Sequence, residues 1–322
     1  MSNCAMLVCS FFVKKRFARK NSSIYNLNQE IVGDSADGTK SFADFFEILS
    51  LFCRNNHTYL DDKKQKKMFS VEPGSVSSYD SDSYRAMSFV VKAGSYGVEA
   101  DMTNRYTSEV SYHRTEDEAD VKAFQCVAYL PKDIAGITIQ KGILVFQSIA
   151  TYGVKTITVN TMRSFLSTYG LTLETRSVSV KVFLQKLIEQ GSLYKIMFFS
   201  NKISPNIADN IFISTGKEVR SYINPQFHSE GLTKLLNVFG KAENEKIIEI
   251  PDNPDLDDIS IQFKLGERIR TIRLSNLDRL SIVEDIPDGV IDKNDNTKLI
   301  QYMIETANAY KEKIVFDLVN EG

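Results

Sequence analysis

The most regular pattern of apolar and polar positions lies in the middle of the chain. Strand-like apolar runs occur at residues 142–149, 171–178 and 193–199. Two stretches with apolar side chains at helical spacing separate these runs, residues 157–169 and 180–190, and each is followed by a glycine, the residue favoured just after a helix. The succession strand, helix, strand, helix, strand predicts helices packed on a sheet, with crossovers long enough to join parallel strands.

The first part of the chain combines strands with one helix. Residues 5–12 are apolar and predict a buried strand, and residues 124–130 predict another strand that ends at Pro131. Ser41 is a suitable N-cap for a helix. The large apolar residues that follow it at helical spacing are Phe42, Phe45, Phe46, Leu49 and Phe52.

Two antiparallel hairpins are predicted on either side of the middle region. The first joins residues 85–92 to residues 96–102 through Ala93-Gly94-Ser95. The second joins residues 259–265 to residues 268–274 through Gly266-Glu267.

The remaining patterns complete a prediction of the fold class. Residues 231–239 predict a short helix, and residues 297–319 predict a long C-terminal helix. The chain is therefore predicted to be an α+β protein, with antiparallel or mixed sheets, packed helices, the central β-α-β-α-β stretch and the long closing helix. The predicted regions are an N-terminal α+β region at 1–130, the central region at 131–245, and the C-terminal hairpin and helix at 246–322.

Composition and targeting signals favour an ordinary globular protein of the cytoplasm. The chain has 322 residues and a formal net charge of −2, so nucleic-acid binding requires local basic patches. The apolar residues near the N-terminus precede the basic cluster, which is the reverse of the order in a secretory signal, and no apolar run is long enough to span a bilayer. Cysteines 4, 9, 53 and 126 form no CxxC pair, so we expect reduced thiols and no zinc site.

A search for catalytic chemistry finds no strong motif. Neither a phosphate-binding GxxxxGK[ST] loop nor a GxGxxG sequence is present, and the three histidines (His57, His113 and His228) stand in no metal-binding or catalytic pattern. No cofactor is therefore expected. Glu99 and Asp101 share one face of a predicted strand, and such a carboxylate pair is what a Mg²⁺-dependent nuclease needs. Because no Glu-x-Lys partner strand accompanies the pair, binding is favoured over catalysis.

Basic residues concentrate in three places, although an ordinary solvated surface remains the alternative for each. The N-terminal cluster is Lys14, Lys15, Arg16, Arg19 and Lys20. A second cluster is Lys63, Lys64, Lys66 and Lys67. A third, in the late hairpin, is Lys264, Arg268, Arg270 and Arg273. Distributed cations of this kind suit a phosphate backbone, and binding through them weakens as salt rises.

The turn at residues 152–156 is the most site-like place in the sequence. It follows the 142–149 strand and precedes a helix, so its backbone N–H groups and Lys155 are positioned to hold a phosphate. An ordinary loop with Thr156 or Thr158 as the helix cap is the alternative.

The central segment resembles a family of phage-exclusion proteins. Gly142-Ile143-Leu144-Val145-Phe146-Gln147 through Tyr152-Gly153-Val154-Lys155-Thr156, with Gly170-Leu171-Thr172-Leu173 after the helix, is similar to the middle of RexA-type proteins, and the later segment 258–264 with its closing helix also resembles them. KwaB-type defence proteins are a looser comparison. The resemblance implies a homodimer with an RdgC-like fold, DNA binding without sequence preference, and a multi-pass membrane protein as partner.

Resemblance and basic clusters together lead to one functional hypothesis with two alternatives. The protein is expected to be a cytoplasmic DNA-binding sensor or effector of a bacterial anti-phage system, which contacts the backbone through the N-terminal cluster, the late hairpin and Lys155. The first alternative is a Mg²⁺-dependent nuclease that uses Glu99 or Asp101. The second is a protein-binding subunit that docks a partner on the phenylalanines of residues 42–52. Exposed aromatic side chains would favour single-stranded over double-stranded DNA.

Overall fold

The computed structural model of the chain is dominated by strands. It describes residues 4–17, 24–36, 38–132, 138–150, 152–176, 178, 192–200, 217–225, 258–265, 268–273, 282–292 and 295–311. Strand makes up 52% of this structure and helix 18%. The predicted α+β class with a long C-terminal helix is therefore wrong: the described residues form a large antiparallel sheet accompanied by three short helices.

The main sheet has ten antiparallel strands within the described residues. They are β1 (Cys4–Lys15), β4 (Leu60–Asp62), β5 (Lys67–Val71), β6 (Ser77–Asp80), β7 (Tyr84–Ser95), β10 (Asp120–Pro131), β11 (Gly142–Ile149), β12 (Tyr152–Gly153), β13 (Leu171–Arg176) and β18 (Ile282–Asp285). The central path of the sheet runs β13-β1-β11-β10-β7-β5-β4, while β12 pairs with β11, β18 with β1, and β6 with β7. Two small hairpins stand outside it: β2 (Ile31–Ser35) with β3 (Gly38–Phe42), and β8 (Ala100–Thr103) with β9 (Val110–Arg114).

The three helices cover both faces of the main sheet. Helices α1 (Phe45–Asn55) and α2 (Lys155–Ser167) pack on the face that carries Phe11, Phe124 and Phe146. Helix α3 (Thr297–Ala309) lies on the other face, where Tyr129 donates a hydrogen bond from its hydroxyl to Asn308 at 2.6 Å. Strands that are buried on both faces have continuous apolar sequences, which explains why β1 and β11 were recognisable from sequence.

Helix α1 starts later than its sequence pattern suggests. Its N-cap is Asp44, whose carboxylate accepts a hydrogen bond from the backbone N–H of Glu47 at 3.0 Å, and Glu47 in turn accepts one from the N–H of Ala43 at 2.6 Å. The first bond satisfies the N–H of Glu47, which the first helical turn leaves without a partner, and the second holds the chain just before the N-cap. Ser41, the predicted cap, lies instead in β3 and hydrogen-bonds the Glu30 carboxylate.

The predicted hairpin around residues 93–95 does not form. Strand β7 runs through Ala93-Gly94-Ser95 without turning and pairs with β10 on one side and β5 on the other. The glycine signals a close approach rather than a turn, because a Cβ on Gly94 would lie 2.4 Å from the carbonyl oxygen of Asp120.

The middle region contains a strand–helix–strand unit with an inserted strand. Strands β11 and β13 run in the same direction, as the crossover through α2 requires, but both pair antiparallel to β1, which lies between them. Gly170 adopts φ +65° just beyond α2, a conformation that favours glycine. The predicted helix at 180–190 lies outside the described residues, as does the one at 231–239.

Contacts between residues divide the chain into two units. The first comprises Met1–Val178 with Ser281–Gly322, and the second comprises Ser179–Leu280. The second unit holds a four-stranded antiparallel sheet in the order β15-β14-β16-β17, with β14 (Ser192–Ser200), β15 (Glu218–Ile223), β16 (Asp258–Leu265) and β17 (Arg268–Arg273). Strands β16 and β17 pair as the predicted late hairpin. The three-region division of the chain stays a prediction.

The C-terminal helix is shorter than its pattern suggests. Helix α3 ends at Ala309, and residues 312–319 of the predicted 297–319 helix lie outside the described residues. Its buried side chains are Leu299, Met303, Ile304, Thr306 and Ala307. Among the described helices, none combines the length and the apolar character that crossing a membrane requires.

Because two tyrosine side chains are buried, we expect the protein to lose stability at alkaline pH. Burial raises the pKa of Tyr129 and of Tyr310 well above the ordinary value, and the nearby Glu284 carboxylate raises that of Tyr310 further. Because the folded pKa values exceed the unfolded value of about 10, the stabilisation is complete below pH 10 and is lost as the pH rises above it. The urea concentration at the unfolding midpoint should therefore decrease as the pH rises from 8.5 to 11. For Tyr310→Phe the decrease should be smaller. An equal fall in the variant would contradict this assignment.

Candidate functional site

A cleft opens beside the start of α2, at one end of the main sheet. Its volume is about 320 Å³. Its walls come from the ends of β5, β7 and β10, from β12, and from the first turn of the helix. The residues that line this α2 cleft are Lys67, Ala93, Gly94, Ser95, Phe124, Tyr152, Gly153, Val154 and Ile157. The turn predicted as the most site-like place in the sequence therefore forms one of its walls.

Strand register brings two lysines to the α2 cleft from distant parts of the sequence. Lys67 pairs with Ser95, and Lys122 pairs with Ala93, on the two sides of β7. Side chains alternate between the faces of a sheet, so both lysines lie on the same face as the core residue Phe124. This face of the sheet carries apolar side chains where α1 and α2 cover it. Lys67 and Lys122 lie where this cover ends.

Lys122 also fixes the aromatic wall of the α2 cleft. Its ammonium nitrogen lies 3.9 Å from the centroid of the Tyr152 ring, and it forms an ion pair with Asp120. A cation over a ring face is attracted by the ring quadrupole, which holds the ring in place. Tyr152 remains 43% exposed, so its ring is still accessible from solvent.

Helix α2 begins in the α2 cleft without a side-chain cap. Its N-cap is Val154, which has no side-chain capping hydrogen bond, and the first helical bond runs from the N–H of Thr158 to the Val154 carbonyl at 2.9 Å. The alternative in which Thr156 or Thr158 caps the helix is therefore wrong. The N–H groups of the first turn carry partial positive charge, which adds to that of the two lysines.

Four lysines occur within five residues of the turn beside the α2 cleft. We call residues 63–67, from the end of β4 to the first residue of β5, the lysine turn. Asp62 holds it by accepting hydrogen bonds from the N–H groups of Lys64 and Gln65, both at 3.1 Å. Within the described part of the chain, none of its four ammonium groups (Lys63, Lys64, Lys66 and Lys67) forms an ion pair. These are the cations that remain available for an outside anion.

The predicted N-terminal cluster is largely engaged within the protein. Lys14 pairs with Glu174 at 2.5 Å, and Lys15 approaches Asp34 at 3.6 Å. The guanidinium of Arg16 stacks on the exposed ring of Phe17, 4.8 Å from its centroid. Arg19 and Lys20 lie outside the described residues. The role of this cluster in binding stays a prediction.

The late hairpin distributes its four predicted cations over both faces of its sheet. Arg273 pairs with Asp258 at 2.6 Å and stacks on Phe199, while Lys264 is exposed. In the β16–β17 register, positions 264 and 273 share one face and positions 268 and 270 the other. The side chains of Arg268 and Arg270 lie outside the described part of the chain, so their role in binding stays a prediction.

Lys155 is the first residue of α2, but it does not line the α2 cleft. It is half-buried, and its charge opposes the effect of burial, which raises the pKa of the Cys9 thiol to about 11. The sequence pattern around Lys155 thus indicated the correct turn, residues 152–156, although Lys155 does not line the α2 cleft. Lys67 lines the cleft, and Lys122 lies next to it. Lys122 was missed because only strand pairing brings it there.

The carboxylates considered for a nuclease lie on the exposed β8–β9 hairpin. Asp101 accepts a hydrogen bond from the ring nitrogen Nδ1 of His113 at 2.7 Å, and Glu99 precedes the strand. This bond raises the pKa of His113 above its usual value. Across the described ranges, no group of three or more His, Cys, Asp or Glu side chains is placed to hold a metal ion. The nuclease alternative stays a prediction.

The phenylalanines considered as a docking surface are buried. Phe42, Phe45 and Phe52 have no exposed surface, and Phe46 is 5% exposed. They belong to the core between α1 and the main sheet, so they offer no surface to a partner.

No protein-family model matches this chain, and no curated protein does.

Proposed function

We propose that the protein is a cytoplasmic sensor that binds a nucleic-acid backbone without sequence preference, through the α2 cleft and the lysine turn. The observation that carries this proposal is that Lys67 belongs both to the lysine turn and to the wall of the α2 cleft, and that the four lysines of the turn form no ion pair with any residue that the structure describes. Phosphates are bound by distributed Lys side chains and by backbone N–H groups at helix starts, and this surface offers both.

The proposed interface differs from the one that the sequence alone favours. Lys14, Lys15 and Arg273 are paired with carboxylates, so a phosphate must compete with a carboxylate for each of these cations. The four lysines of the lysine turn form no ion pair with any described residue, so no such competition arises there. A role in phage exclusion, a homo-oligomer and a membrane partner are added to the proposal by the family resemblance alone.

The expected signature is a strong dependence of binding on salt. Four lysine–phosphate contacts on a single strand should reduce affinity about fiftyfold between 50 and 200 mM salt. The measurement is fluorescence anisotropy with single-stranded and double-stranded oligonucleotides of two unrelated sequences. Affinity that does not change with salt, or that differs strongly between the sequences, would overturn the proposal.

Two matched double variants locate the interface. Lys64→Gln/Lys67→Gln removes two of the four cations of the lysine turn and should reduce the slope of log affinity against log salt by about half. Lys14→Gln/Lys15→Gln removes the same charge from ion-paired positions and should leave the slope nearly unchanged. The reverse result would assign binding to the N-terminal cluster and contradict the proposed surface.

A further inference from the structure

We infer that the α2 cleft binds one nucleotide, with its phosphate toward Lys67 and its base against Tyr152, so that the protein holds the end of a single strand. This inference rests on the proposed function and names the ligand of the same site.

Size is the first argument. At about 320 Å³ the α2 cleft falls at the small end of the range for small-molecule sites, about 300–1,000 Å³. A pocket of this size has room for one nucleotide, whereas a duplex backbone contacts a protein along an open groove. The α2 cleft therefore selects a nucleotide that is free of its neighbours on at least one side.

The distribution of polar and apolar groups is the second argument. Lys67 and Ser95 share one wall, opposite each other in the strand pair. Phe124, Val154 and Ile157 supply an apolar floor, and the Tyr152 ring stands beside it. A nucleotide has the same two halves: a phosphate that suits the lysine and an aromatic base that suits the tyrosine. Base–aromatic stacking works for every base, which agrees with binding that ignores sequence.

The charge around the α2 cleft supplies the third argument. Residues 96–119, which we call the acidic arm, connect the ends of β7 and β10 and carry six carboxylates against two arginines. The two ends of the acidic arm meet beside the lysine turn, where the N–H of Gly97 donates a hydrogen bond to the Glu116 carbonyl at 2.7 Å. The Lys66 side chain contacts Gly97 at the same place. A polyanion is repelled along the acidic arm and attracted along the lysine turn, so a strand extends from the α2 cleft in one direction.

The test compares ligands that contain the same nucleotide in different settings. The probes are single-stranded twelve-residue oligothymidylates with a 5′-phosphate, a 3′-phosphate or neither, each labelled at the opposite end, and a blunt duplex of the same length. One phosphorylated single strand should bind at least about fivefold more tightly than the unphosphorylated strand and the duplex. Thymidine 5′-monophosphate should displace it, whereas thymidine and inorganic phosphate at equal concentration should not.

Variants of Tyr152 separate base stacking from phosphate binding. Tyr152→Ala should weaken single-strand binding about 5- to 150-fold, and Tyr152→Phe, which keeps the ring, should not. Tyr106→Ala is the matched control, because Tyr106 is an 80% exposed tyrosine on the acidic arm. Circular dichroism and the urea midpoint establish that each variant is folded.

The outcomes separate this inference from the proposed function. Salt-dependent binding with no preference for single strands or phosphorylated ends, and no effect of Tyr152→Ala, would overturn the nucleotide site and leave backbone binding intact. Binding of thymidine 5′-monophosphate without binding of any oligonucleotide would overturn both the backbone proposal and the inference that the α2 cleft holds the end of a strand. Failure of every probe to bind would overturn both.

Discussion

Replacing Phe52 with alanine is expected to lower the free energy of unfolding by about 3–5 kcal/mol. Phe52 has no exposed surface and lies in α1, where its ring contacts Phe69 of β5 and Phe165 of α2, with centroids 6.3 and 5.7 Å away. It thus joins α1 to β5 and to α2, which follows about a hundred residues later in the sequence. Alanine removes the ring and leaves a cavity. The surrounding side chains fill this cavity only in part, because the helix and strands that carry them cannot move freely.

The measurement is a urea-unfolding curve followed by circular dichroism, with a matched phenylalanine as control. Phe17→Ala removes the same side chain from a position that is 90% exposed, so we expect its free energy of unfolding to change by no more than about 0.5 kcal/mol. Similar losses in the two variants would contradict the packing of α1 described above.

Replacing Gly94 with alanine is expected to cost about 1–3 kcal/mol of stability, although the added group is one methyl. A Cβ at this position would lie 2.4 Å from the carbonyl oxygen and 2.6 Å from the carbonyl carbon of Asp120, and 2.8 Å from the Cα of Val121. These are backbone atoms of β10, so no side chain can move aside and the two central strands must separate. Because Gly94 also lines the α2 cleft, the same change should weaken nucleotide binding.

A second glycine of the α2 cleft provides the control for this prediction. A Cβ on Gly153 would meet the nearest atoms, Cδ1 of Leu7 and Oγ of Ser148, at 3.6 and 3.8 Å, which is ordinary contact. Gly153→Ala should therefore keep its unfolding midpoint close to that of the natural protein, whereas Gly94→Ala shifts it. A shift of equal size in both variants would show that the Gly94 effect does not come from the close strand approach.

Several elements were predicted correctly because a local cause determines them. Residues 142–149 coincide with β11, and the late hairpin pairs around residues 266–267 as predicted. In both cases a run of apolar or β-branched residues is followed by a turn, so the signal lies within a few residues. The pairing partner was predicted wrongly for the exposed β8–β9 hairpin. Residues 96–102 were expected to pair with residues 85–92, but β8 pairs with β9, and β7 pairs with β10 and β5.

The candidate site was predicted only in part, for a similar reason. Residues 152–156 lie between a buried strand and a helix, and that order alone indicates a phosphate-binding turn. Lys67 and Lys122 precede this turn by many residues and reach it through β7, which pairs with both of their strands. Pairing partners are not encoded in the local pattern, so Lys122 was not recognised as part of a site.

The sequence by itself determined which segments are apolar enough to be buried and where basic residues occur along the chain. The tertiary structure decided which of those basic residues are available. Lys14 and Arg273 became engaged with Glu174 and Asp258, while the lysine turn stayed unpaired among the described residues and came to lie beside α2. The physical reason is that burial depends on the chemistry of each segment, whereas the partner of a charge depends on strand order and register, which long-range packing sets.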